Sequence, residues 1–153
     1  MSEDISGVPA TAIVYTTSAN SFIKDLARLG NRWGDDSGHL VSGPSSSLLR
    51  RLERQKGENA IASCPNIRNI LSRRHIGYGP EAVSAAVKNS EGARYRSVII
   101  YLSLPIVSAD GKEAVFVRSF QSAGLFGAGK VVYMTSGKDG KWKPLASAQL
   151  WVS

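Results

Sequence analysis

Cysteine is almost absent: Cys64 stands alone in 153 residues, so no intramolecular disulfide can close and no CxxC or Cys/His cluster can hold a structural metal. Stability must come from a packed core. The two histidines, His39 and His75, lack HxxxH or HExxH spacing. Long apolar runs are missing as well, and the longest, Val98 to Leu104, is far too short to span a bilayer. Acid is the scarcer charge, with 12 Asp plus Glu against 19 Lys plus Arg and a net charge of +7. There is no internal repeat and no low-complexity tail. The first nine residues carry Glu3 and Asp4 but neither a basic region nor an apolar run. That start predicts a cytoplasmic protein if the chain is complete, and a periplasmic or secreted one if a leader has been removed.

What is present suits one ordinary domain. A hydrophobic fraction of 42% is too high for a wholly disordered chain, and the length leaves little room for two full cores. From Ser18 to about Asn89 the pattern is helical and loop-rich. Phe22, Leu26, Leu29 and Trp33 recur at steps of three and four, which predicts a helix with Asn20 or Ser21 as its N-cap. Gly34 to Pro44 collects Gly, Asp and Ser and reads as a loop in which Asp35 and Asp36 solvate or cap. Ser45 to Ser47 caps a second helix whose Leu48, Leu49 and Leu52 share one face, with Arg50, Arg51 and Arg54 opposite. A third helix is predicted over Asn66 to Arg74 with Ile67, Ile70 and Leu71 inward. A fourth begins near Pro80 and Glu81 and carries Val83, Ala86 and Val87.

From Arg94 the period switches to strands. Arg96 to Leu104, Ala114 to Phe120, Lys130 to Thr135 and Lys141 to Val152 are joined by hairpin-sized links at Ser108 to Gly111, Gly124 to Gly129 and Gly137 to Gly140. Short links make sequential strands antiparallel neighbours. The fold class expected is therefore α+β: an antiparallel four-stranded meander in the C-terminal half, with helices from the N-terminal half packed on one face and Thr11 to Thr17 as an edge strand. The expected core places Phe116, Val98 and Ile100 with Trp151 or Leu150 between sheet and helices.

The C-terminal features come in a definite order. A strand ends in Ser103, Leu104 and Pro105; a turn holds Asp110, Gly111 and Lys112; Gly124, Leu125, Phe126, Gly127, Ala128 and Gly129 follow the next strand; Asp139, Gly140, Lys141 and Trp142 precede a terminal Leu150, Trp151, Val152 and Ser153. This order resembles that of small uncharacterised bacterial proteins, many of them exported, that carry a GLCGxG hairpin and end in a Trp-containing strand. Phe126 stands where that pattern has Cys, so no thiol role carries over. The resemblance implies a fold and export rather than an activity.

Gly124 to Gly129 reads GxxGxG, but a dinucleotide fingerprint needs GxGxxG between a strand and a helix. A P-loop needs Lys followed by Ser or Thr, and here Lys130 precedes Val131. These glycines are expected to serve a hairpin with positive φ and a tight strand crossing. Cys64 and His75 could supply a nucleophile and base only if the fold brings them together. No GxSxG elbow accompanies the serines. The sequence calls for no cofactor.

The basic excess has the longest physical reach. Arg50, Arg51, Arg54, Lys56, Arg68, Arg73 and Arg74 face only Glu53 and Glu58 within residues 50 to 74, so most of the net charge is local. Guanidinium forks bind carboxylates and phosphates. No aromatics are interleaved for base stacking. The expectation is a non-enzymatic binding module, of the inhibitor, immunity or envelope-accessory kind, engaging an acidic protein partner through Arg50, Arg51, Arg54, Arg73 and Arg74. A nucleic-acid-binding protein is the alternative and a small hydrolase the third reading.

Overall fold

A computed structural model of the chain describes residues 11–16, 26–29, 32–55, 61, 64–89, 97–122 and 127–152. The elements run β1 (Thr11–Thr16), a 3-10 turn (Leu26–Leu29), α1 (Ser46–Glu53), α2 (Pro65–Arg73), α3 (Pro80–Asn89), β2 (Ser97–Leu102), β3 (Ile106–Val107), β4 (Glu113–Ser122), β5 (Gly127–Ser136) and β6 (Trp142–Val152). The fold is α+β. Its sheet has the order β1-β2-β4-β5-β6, with β3 also paired to β4. The β2-β4-β5-β6 meander is antiparallel throughout, as expected from the short links. β1 is an edge strand and pairs parallel to β2, a geometry that needs the long crossover the helices supply. α3 packs against both of these strands.

The turn chemistry acts as the residues dictate. Gly111 and Gly140 hold φ of 70° and 72°, the left-handed region where a Cβ is costly, and close the β3–β4 and β5–β6 hairpins. Asp110 Oδ1 accepts from the Ser108 hydroxyl and the Lys112 amide, and these bonds, the hydroxyl first, hold its carboxyl below the usual range. Between β2 and β3 the ladder breaks at Pro105. There Ser103 Oγ accepts the Val117 amide at 2.8 Å, so the donor exposed by the break is still satisfied. Pro144 is tolerated because β6 is an edge strand, and that edge is partly covered by Gly34, which exchanges two backbone hydrogen bonds with Ser147.

Strand alternation gives the sheet two faces. On one, Val115, Val117, Val131, Tyr133, Ala146 and Ala148 are buried against Leu26, Leu29, Trp33 and the α1 leucines Leu48, Leu49 and Leu52. Trp33 meets Tyr133 edge to face, with centroids 6.2 Å apart. We call this the helix face. On the other, Ala114, Phe116, Arg118 and Phe120 of β4 pair with Met134, Val132, Lys130 and Ala128 of β5.

Several expectations are corrected. Phe116, Val98 and Ile100 lie on the second face, because the register that buries Val115 and Val117 turns every alternate side chain away. Leu150 joins the helix-face core, and a bulge at Gly129/Lys130 leaves Trp151 lying across Gly127 and Gly129. Those two glycines have no positive φ. They are extended strand residues, and a Cβ on Gly129 would fall 2.4 Å from Trp151 Nε1. Of the predicted first helix, the described stretch Leu26–Leu29 forms a 3-10 turn, and Leu26, Leu29 and Trp33 are buried together as expected; Phe22 and the rest of that stretch up to residue 25, with 30 and 31, lie outside the described residues, as do Gly124 to Phe126 and the first nine positions. In α2 only Leu71 is buried, Ile70 being 53% exposed.

Candidate functional site

Ser45 caps α1, its hydroxyl accepting from the Leu48 amide, and three buried leucines seat the helix on the sheet. Arg50, Arg51 and Arg54 are all exposed on the outward side. Arg50 and Arg51 lie in the last turn, where the negative helix end favours cations. Glu53, the one acid of α1, is turned toward the core and accepts from the Leu26 amide, so it occupies itself with backbone rather than with the arginines. Arg51 Nη1 donates to the Val107 carbonyl at 3.0 Å, which ties part of its charge to β3.

Arg73 and Arg74 are also exposed, at the C-terminal end of α2. That end is a Schellman cap: Ile76 N donates to Leu71 O at 2.9 Å and His75 N to Ser72 O at 3.1 Å, while His75 takes φ 54°. Leu71 and Ile76 belong to a second cluster with Ile61 and Leu102. The two arginine groups therefore ride on helices seated in different hydrophobic clusters.

The Cys64–His75 pair is not a catalytic site. Cys64 is the N-cap residue of α2 and His75 lies just past its C-terminus, a separation of about 16 Å at helical rise. His39 Nδ1 sits 3.6 Å from Asp35 Oδ2, in a surface loop that Asp35 braces through the Ser37 and His39 amides. Among the described residues no group of three His, Cys, Asp or Glu is placed to hold a metal ion.

A further concavity was not anticipated from the sequence. On the face opposite α1, a cleft of about 420 Å³ is floored by Leu102, Ala114, Phe116, Met134 and Trp142, with Ile61 and Ile67 on its other wall. Its polar side chain, Ser103, has its hydroxyl engaged with the Val117 amide and the Leu104 carbonyl. A second cavity of about 330 Å³ on the same strands is lined by Arg118, Lys130, Ser147 and Gln149 among others. Arg118 and Lys130 are direct cross-strand partners, and both are exposed. Period-two patterning did register the alternation of Phe116, Arg118 and Phe120 against the valines. It could not show that α2 stands off far enough to leave a cleft, since that depends on the third dimension.

Comparison with protein-family models, with curated proteins and with solved structures finds no match. What the site can do follows from its own residues. No helix among the described residues is long and apolar enough to cross a membrane.

Proposed function

We propose that the protein is a non-enzymatic binding module that engages an acidic protein surface through the outward face of α1. The observation that supports this reading is the division of labour on that helix: the leucines anchor it, Glu53 is spent on the Leu26 amide, and Arg50 and Arg54 are left exposed one turn apart. An arginine face held rigidly loses little further entropy on docking, and its charge steers encounter with an acidic partner. Arg73 and Arg74 add to that steering charge from the end of α2. On this reading the role is of the inhibitory, immunity or envelope-accessory kind.

The test is a capture experiment with wild type and Arg50→Glu/Arg54→Glu on lysate of the native host, followed by kinetics on the captured protein. Arg51 is left alone because it also bonds to Val107. The double variant is expected to melt as wild type does, since both heads lie in water, and to lose association rate in a salt-sensitive way. Retention instead of sequence-tolerant nucleic acid, with a log-log salt slope set by the phosphates neutralised, selects the nucleic-acid alternative. Unchanged binding of the captured protein by the double variant removes α1 as the site.

A further inference from the structure

We infer that the sheet face opposite α1 is a binding site for a single-chain anionic amphiphile, an aliphatic tail with a carboxylate-type head. This site is independent of α1. Four observations converge on it. The cleft volume, about 420 Å³, lies within the usual range of small-molecule pockets, roughly 300–1,000 Å³. Its floor and wall are apolar, and the hydroxyl of Ser103 is already satisfied within the fold, so the occupant must offer hydrocarbon there. Val107 and Trp142 are 38% and 40% exposed at its margin, wet apolar surface continuous with the cleft.

The fourth observation is the charge. Leu102 and Phe116 of the cleft lie beside Arg118: Leu102 is its cross-strand partner, and Phe116 is two residues earlier on the same face of β4, about 7 Å along the strand. Arg118 in turn faces Lys130 directly across β4 and β5. Like charges in that position repel and weaken the sheet unless an anion sits between them. Among the described residues no acidic one lines either cavity. A head group held by the Arg118 fork and the Lys130 ammonium leaves its tail pointing along β4 over Phe116 and Ala114 toward Trp142. Gln149, cross-strand to Lys130, gives one amide hydrogen to the Trp151 carbonyl and has its second to offer at this level of the sheet.

Sodium dodecanoate, kept below its micelle concentration, is titrated into the full chain by calorimetry and by tryptophan fluorescence. Saturable one-to-one binding is expected, with a Trp142 signal that Trp142→Phe abolishes. Dodecan-1-ol, which lacks the charge, should bind about tenfold more weakly, the equivalent of one charge-assisted hydrogen bond. Arg118→Gln/Lys130→Gln should weaken dodecanoate by a similar factor and leave dodecanol unchanged. Ala114→Leu should weaken both ligands by filling the floor; if that variant does not fold, Trp142→Ala, at the exposed strand end, is read in its place. Vesicles of phosphatidylglycerol distinguish the source: binding to free dodecanoate without vesicle association supports a soluble amphiphile, whereas vesicle association with no free-ligand binding overturns it in favour of a bilayer surface. Absence of saturable binding, or equal affinity for acid and alcohol, also overturns the proposal.

Discussion

The two faces of the sheet come from the same strands, offset by one residue, yet they are covered in opposite ways. On the helix face β4 and β5 present Val115, Val117 and Val131, all essentially without exposure, with Tyr133 beside them, and Trp33 and the α1 leucines fill the space above. On the cleft face the strands carry bulk of their own, in Phe116, Met134 and Trp142, and the described residues facing them, Ile61 and Ile67, leave a cleft of about 420 Å³. Where large side chains of the facing layer reach the strands, the interior closes to native density; where the facing helix stands off, a cleft is left. The difference identifies which face holds the molecule together and which is free to do something else.

The largest predicted effect breaks or sustains that comparison directly. Leu52→Ala empties a fully buried site on the helix face and should cost about 2 to 5 kcal/mol in denaturant or thermal unfolding. Phe116→Ala removes a larger side chain but opens no sealed cavity, because its ring already borders the cleft, and should cost clearly less. Equal losses would mean that the two faces contribute alike and that the cleft is filled in solution.

How legible this was differs by face. The Leu48, Leu49, Leu52 stripe, the Ser45 cap and the outward arginines followed from helical period, and the meander followed from link length; both are local rules with short reach. Strand composition requires that some face be covered but does not say which one α1 covers, so Phe116 is expected on the wrong side; the decision belongs to helix volume supplied from far along the chain. Ile70 departs from its expected inward place for the same reason, since an amphipathic stripe says which side is apolar but not whether a partner arrives, whereas Ile67 does face the sheet across the cleft. The Arg118–Lys130 pair needed the β4–β5 register before it existed as a feature at all.

A middle-sized effect sharpens the picture at the far end of the helix face. There Trp151 does what the leucines do elsewhere, and glycine is required for space rather than for φ. Gly129→Ala should cost about 1 to 3 kcal/mol, because its methyl meets the indole and the ring must leave its place. Combining it with Trp151→Leu should recover part of that loss. If Gly129→Ala is as harmful in the Trp151→Leu background as in wild type, the indole is not the obstacle.

The smallest effect is confined to alkaline pH and again belongs to the helix face. Tyr133 is buried beneath Trp33, and its hydroxyl donates to Glu113 Oε1. Burial first, then the carboxylate partner, pushes its pKa up to about 12 from an ordinary value of 10.0. The folded protein therefore keeps a proton that the unfolded chain begins to lose near pH 10, so proton linkage makes stability fall as pH rises between those two values. The contribution is complete below the unfolded pKa and is lost as pH climbs through the folded one. Tyr133→Phe keeps the ring and removes this titration, and every other side chain is common to both proteins. The stability difference between wild type and Tyr133→Phe should hence be flat from pH 7 to 9 and shrink steadily from pH 10 toward 12. A constant difference over that upper range would show that the phenol reaches water and that the helix face is less tightly closed around Tyr133 than its packing against Trp33 requires.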